Sequence, residues 1–276
     1  QRLPRGRVQQ LQPEPESQHD PGRDREHPEE DHEDEQHIDA RPREHQQIAP
    51  QHPRNRPRRP DHGNGRVGQQ AKAQSAAQQR GGIAGPVAVY AGKAELLANL
   101  GAELAGLSRP NALIIGALGR VGTGAADLLQ ALGCSVTKWD MAETASGGPF
   151  PEVLQHEIFL NCILARPGCP VFVPASAKTD ARKLTVIGDI ACDPTSDFSP
   201  IKVYDRVTEW DAPALRVHDA PPLDVTAIDN LPSLLPVESS EDYAAQLLPS
   251  LATLGDLTTG VWGRAAADYA RHSANL

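Results

Sequence analysis

The residues best suited to chemistry are glycines at three-residue intervals, Gly116, Gly119 and Gly122, with Gly124 two positions on. Glycine lets a chain turn tightly and lets backbone approach a ligand where a Cβ would block it. The run Ala112–Ile115 before them is short and apolar, as in a buried parallel strand. The run Ala125–Leu132 after them reads as a helix closed by Gly133. Strand, glycine turn and helix in that order form an anion cradle, because a helix N-terminus offers backbone N–H groups and partial positive charge. A dinucleotide pyrophosphate is the ligand this order serves. The spacing is Gly-x-x-Gly-x-x-Gly, not the commoner Gly-x-Gly-x-x-Gly, and a purely structural turn is the competing reading.

The next strand strengthens the ligand reading. Ser135–Trp139 ends at Asp140, 18 residues after Gly122. An acid there binds the adenosine ribose hydroxyls and repels a 2′-phosphate, which favours NAD over NADP. Its plain alternative is a turn acid at the surface. Two further buried strands are expected over 158–164 and 184–190, the second leading into Cys192-Asp193-Pro194. Ligands in such sheets sit at the C-terminal strand ends, so these ends should approach the nicotinamide side. Asp229 or Asn230 could cap a turn begun by Pro232. Helices are expected over 92–107, 241–251 and 261–272. The predicted fold class is α/β: a Rossmann-like parallel sheet with helices on both faces.

Other conspicuous residues carry less. His218-Asp219 suggests acid–base chemistry, but neighbours on a strand point to opposite faces, so a structural role is expected. Trp139 and Trp262 read as packing residues. The four Cys (134, 162, 169, 192) have no C-x-x-C spacing, so no metal site is expected and they read as thiols of an intracellular protein.

Composition divides the 276 residues near position 82. Residues 1–82 contain no Phe, Trp or Tyr, and beyond Ala only six apolar side chains: Leu3, Val8, Leu11, Ile38, Ile48 and Val67. Six aliphatic groups cannot offset the entropy of ordering 82 residues, so the segment is predicted to be low-complexity and disordered. Its acid/His run Asp31-His32-Glu33-Asp34 could bind metal. So polar a run is also what a coding sequence read out of frame yields. Domains are therefore expected at 1–82, 83–230 (dinucleotide-binding) and 231–276 (helical). The net charge of −9 falls wholly on residues 83–276, with 13 basic against 22 acidic residues. That argues against nucleic acid as a partner. No 18-residue apolar stretch suggests a membrane span, and no secretory segment opens the chain.

The segments Gly116–Gly122, Lys138–Thr144, Ser146–Phe150, Asn161-Cys162-Ile163, Asp189–Asp193 and Ile228–Pro236 together resemble NAD-dependent, L-lysine-forming saccharopine dehydrogenase. The likeness covers roughly 86–276. It implies an oxidative deamination: saccharopine, NAD and water give L-lysine, 2-oxoglutarate and NADH. By position it implies that Gly116, Gly119, Arg120 and Gly122 hold the pyrophosphate, and that Asp140 and Thr144 lie at the ribose. Leu164 and Ile190 line the cofactor groove, and Ile228, Asp229, Asn230 and Leu231 border the nicotinamide. Asp229 is then the one possible active-site residue. A cytoplasmic monomer is implied.

Two departures stand out. Val121 occupies a position where the family often has Cys, which leaves phosphate binding intact. The family's N-terminal domain supplies a Lys and a His as acid–base pair and Arg residues for the substrate carboxylates. Residues 1–82 offer no matching context, so no catalytic pair is assigned and impaired turnover is expected. The C-terminal helices then return toward a missing or disordered domain. Two rival readings are an alanine-dehydrogenase-like oxidoreductase and a non-catalytic NAD-binding module with an interaction tail.

Overall fold

A computed structural model describes residues 66–274. Six strands form one sheet: β1 (Asn111–Ile115), β2 (Ser135–Trp139), β3 (Ile158–Asn161), β4 (Val186–Asp189), β5 (Leu215–Asp219) and β6 (Pro222–Thr226). Their order across the sheet is β2-β1-β3-β4-β6-β5. Five strands are parallel, and β5 pairs antiparallel with β6 at the edge. The expected parallel sheet therefore carries an antiparallel hairpin that the reading of the sequence did not include.

Strand alternation separates two cores. Leu113, Ile115, Phe159, Ile187, Leu223 and Val225 face one side. There they meet Val153 of the short helix α5 (Pro151–Gln155), the 3-10 turn Ala175–Lys178 and the loop around Ile201–Tyr204. Trp139, Phe150, Phe172 and Phe159 form an edge-to-face series on that side, with centroids 5.7–6.2 Å apart. Such pairs contribute beyond their buried area. Ala112, Ile114, Ile158, Leu160 and Val186 face the other side, under helices α1 (Arg66–Gln79) and α3 (Arg120–Ala131).

Helix α1 corrects the expected boundary at residue 82. Residues 66–79 join the fold, while residues 1–65, including Asp31–Asp34, lie outside the described residues. The reason is that α1 docks through small and polar groups, which a tally of large apolar side chains misses. Gly68 sits where a Cβ would be 3.2 Å from the Ala125 carbonyl, so two helices cross closely. Gln74 and Gln78 donate to the buried carboxylate of Asp224, the former at 2.6 Å, and Arg216 closes on the same group. Lys72, by contrast, is fully buried and its Nζ has no partner.

Helix α2 (Lys93–Glu103) is shorter than expected, ending before Gly106 at φ +76°. Its Leu96 and Leu100, with Leu104 beyond it, pack on Leu128, Leu132 and Leu235. After the capped turn α4 (Met141–Thr144), the chain closes with α6 (Pro236–Leu251) and α7 (Gly260–Ser273), neither of which buries a residue. Helix α6 begins five residues earlier than expected, because Pro236 suits a first helical turn. Among the described residues no helix is long and apolar enough to cross a membrane.

Burial lowers the Lys72 amine below its ordinary 10.5, with the Arg109 cation acting in the same direction. The folded chain thus binds fewer protons than the unfolded one between that lowered value and 10.5, and its stability rises with pH across this window. Lys72→Met should flatten that slope and raise stability by about 1–3 kcal/mol, because an unpaired buried amine is removed. Urea unfolding across the alkaline range measures both; a destabilised variant with an unchanged slope would overturn this account of the amine.

Candidate functional site

The chain leaves β1 for β2 on one side and then crosses to β3 on the other, so the topological switch lies between β1 and β3. In open α/β sheets a ligand binds at such a point, outside the C-terminal strand ends. The glycine turn stands at that position, between β1 and α3. Gly116 has φ +85°, and a Cβ there would lie 2.7 Å from the Cys162 carbonyl oxygen. The Gly116 and Ala117 N–H groups both donate to the Trp139 carbonyl at 2.9 Å, which ties the turn to β2.

A Cβ on Gly122 would lie 2.2 Å from the Gly116 oxygen and 2.7 Å from Cα of Ala117. Only glycine lets α3 begin that close to β1. This is also why α3 starts at Arg120, five residues before the apolar run that announced it. Gly119 is the N-cap and brings no side-chain acceptor to the first turn. Thr123 Oγ1 instead bonds back to the Gly119 carbonyl at 2.7 Å. Gly119 itself thus puts no carboxylate or hydroxyl at the first turn, the end of a helix that suits an anion.

Asp140 stands at the end of β2, half-buried. Its Oδ2 accepts from the Leu118 N–H at 2.9 Å and its Oδ1 from Met141 N–H at 3.0 Å. Glu143 returns a bond to the Asp140 N–H at 2.7 Å, completing a capping box for α4. The carboxylate is therefore held beside the glycine turn, with lone pairs to spare on both oxygens. Thr144 Oγ1 bonds the Asp140 carbonyl at 3.0 Å and lies on the same turn.

Arg120 does not lie open. Its guanidinium pairs with Asp242 of α6 and donates to Gln246 Oε1. Leu164 follows β3 and is 77% exposed, an apolar side chain offered beyond the C-terminal end of that strand. Ile190 follows β4 and is half-buried against the α1–α3 core. Ile228 and Leu231 are buried in that core, whereas Asp229 and Asn230 between them are exposed. Asn230 takes the left-handed conformation at φ +59°, and its N–H bonds Asp229 Oδ1 at 2.8 Å. Parallel register brings all these segments to one sheet edge.

A buried polar group lies at the ends of β3 and β4 that the reading of single residues did not single out as a site. Asp189 Oδ1 accepts from Asn161 Nδ2 at 2.9 Å and from the Ala191 N–H at 3.0 Å. Its Oδ2 accepts from the Tyr204 hydroxyl at 2.6 Å. Burial pushes the Asp189 carboxyl up and its three donors pull it back, while burial and the Asp189 charge together raise the Tyr204 phenol. Asn161 Oδ1 is buried without a partner. The available signal was polar residues ending two otherwise apolar strands.

Burial raises all four thiols, Cys192 to about 12, so they stay protonated at neutral pH. Among the described residues no cluster could hold a metal ion. His218 Nδ1 faces the Pro221 carbonyl at 2.9 Å and the Arg182 guanidinium at 3.4 Å, a structural place in the β5–β6 hairpin.

No family model matches the chain. Curated relatives do, and each bears the name saccharopine dehydrogenase (NAD(+), L-lysine-forming). The protein of Candida albicans is 42% identical over 209 residues, which is 71% of this chain and 55% of that protein. That of Neurospora crassa is 44% identical over 173 residues, covering 60% and 46% respectively. That of Schizosaccharomyces pombe is 44% identical over 168 residues, covering 58% and 46%. The chain spans about half the length of the curated relatives it matches, and across that span it is similar to part of an NAD-dependent, L-lysine-forming saccharopine dehydrogenase.

Proposed function

We propose that this chain is the NAD-binding part of a saccharopine dehydrogenase acting on saccharopine, L-lysine and 2-oxoglutarate. The observation that carries the reading is the contact between Gly122 and the Gly116 carbonyl, at the switch point and beside an anchored Asp140. The residues present fit the cofactor. Gly116, Gly119 and the first turn of α3 suit a pyrophosphate. Asp140 and Thr144 suit the adenosine ribose, and the Asp140 charge disfavours a 2′-phosphate. Leu164 and Ile190 give an apolar wall beyond them. When bound, NAD supplies the hydride acceptor for oxidation of the substrate C–N bond.

The protein's own part in that reaction is orientation. Asp189, fixed by Tyr204 and Asn161, stiffens the strand ends that face the ring. Asp229, exposed on its turn, is the single carboxylate of the Ile228–Leu231 segment. No His occurs in the segments that follow β1, β2, β3, β4 or β6 and border the crevice, 116–124, 140–150, 162–174, 190–214 and 227–235. Each acid–base group that these segments lack is worth about 10²–10⁴-fold in rate. This chain alone therefore binds cofactor with little or no turnover.

Titration of the purified chain with NADH, followed by nucleotide fluorescence, should give saturable binding, weaker for NADPH. Failure to bind NADH, or tighter binding of NADPH, overturns the reading. Gly122→Ala should abolish binding and cost about 1–3 kcal/mol of stability through overpacking. Asp140→Ala should weaken NADH about 10- to 100-fold, the worth of hydrogen bonds to a charged group, and narrow its advantage over NADPH. Saccharopine with NAD should produce no appreciable rise in NADH absorbance; rapid turnover would show that the acid–base pair lies in this chain after all.

A further inference from the structure

Helix α6 crosses close to the glycine turn but is loosely held. It buries no residue, and among the described elements it packs mainly on the 3-10 turn Leu231–Leu234. Its root is fixed: the Lys93 N–H donates to Glu238 Oε1 at 2.7 Å, and Ser239 Oγ reaches the Leu235 carbonyl at 2.7 Å. Further along, it meets the turn through one closed ring of side chains. The Arg120 guanidinium pairs with Asp242 Oδ2 and donates to Gln246 Oε1. Gln246 Nε2 in turn donates to Asp242 Oδ2 at 2.8 Å. Residues 242 and 246 are four apart, so they are neighbours on one helix face.

This ring gives Arg120 two acceptor oxygens from one rigid surface, one of them charged. A phosphate offers a guanidinium the same thing, two adjacent oxygens in a forked geometry. Arg120 is the first residue of α3, at the end of the helix where an anion is received. A carboxylate and a pyrophosphate therefore have use for the same cation.

We infer that Asp242 and Gln246 act as an internal stand-in for the pyrophosphate, latching α6 to Arg120 until a dinucleotide displaces them. The inference rests on the NAD-binding reading above. Binding then exchanges one set of oxygens for another on Arg120, and the end of α6 beyond its root is released. The partners are partly exposed, 46% and 33%, so the latch is weak enough to be displaced. Exposed pairs contribute at most about 1 kcal/mol, which corresponds to about fivefold in affinity.

The test is NADH affinity of the full chain and of four variants. Asp242→Asn should tighten NADH about two- to fivefold. Glu241→Gln removes the same charge from the adjacent position without touching the ring and should change affinity less. Arg120→Gln should weaken NADH, and adding Asp242→Asn to it should bring no gain. Hydrogen exchange provides a second readout: saturating NADH should lower protection over 242–251 in the parent chain and leave it unchanged in Asp242→Asn. If NADH binds the parent and Asp242→Asn equally, or if the gain persists without Arg120, the latch is refuted while the NAD reading stands. If NADH binds none of them, the NAD reading itself falls.

Discussion

The rest of the site depends on one steric fact, the approach of α3 to the exit of β1. With a Cβ on Gly122 lying 2.2 Å from the Gly116 oxygen, no other residue allows the helix to start there. Starting there, α3 directs its first turn at the crevice and sets its Ala125–Leu129 face on the sheet. The same turn places the Leu118 N–H at Asp140, so the acid at the end of β2 is held by the loop it helps to shape. The glycine turn and Asp140 are thus one connected unit. The motif's unusual three-residue spacing is no obstacle, because the glycines serve separate needs. Gly116 supplies a positive φ, Gly122 supplies closeness, and Gly119 between them brings no side chain to the helix end.

A second constraint works on the same face of the sheet. Asp224 on β6 is fully buried and points at α1, where it would be costly without donors. Arg216 from the neighbouring strand and two glutamines from α1 supply them. A helix whose apolar contacts are made by small residues, Ala71 and Ala76, is thereby held in the core by a carboxylate as well. The arrangement is uneven along its length. Gln74 and Gln78 are matched, whereas Lys72, on the same helix, enters the core with nothing to bond. Satisfied and unsatisfied polar burial thus lie within two residues of each other.

These contrasts explain what could be read from the sequence. The glycine turn, Asp140, the strand cores and both closing helices were legible because local patterns encode them: spacing, alternation and period. The start of α3 was misplaced because Gly122 and Gly124 have poor helix propensity, and tertiary closeness overrides it. Helix α1 was illegible for a related reason. Its partners Asp224 and Ala125 are distant in sequence, so no window around residues 66–79 shows that its glutamines and small residues have a place to dock. The Asn161–Asp189–Tyr204 group joins three separate segments, and its local sign was no more than a polar residue ending each of two apolar strands. Arg120 was read as part of the glycine turn rather than of the helix, and its partners Asp242 and Gln246 lie more than 120 residues away.

The two kinds of illegibility bear on how function divides over this chain. Cofactor binding at a glycine turn is largely backbone chemistry: N–H groups, a helix end and the absence of side chains. It needs little more than a strand, a turn and a helix in the right order, all of which lie within residues 111–140. Acid–base catalysis needs particular side chains brought to one point from distant segments. Among the described residues, the strand ends at the switch point carry carboxylates and amides but no imidazole, and the one fully buried lysine, Lys72 of α1, lies in the electrostatic company of Cys134, Arg109 and Glu157. These three residues sit just before β2, β1 and β3, at the opposite, N-terminal edge of the sheet. A glycine turn is thus encoded within one short stretch of sequence, whereas an acid–base pair has to be assembled from several.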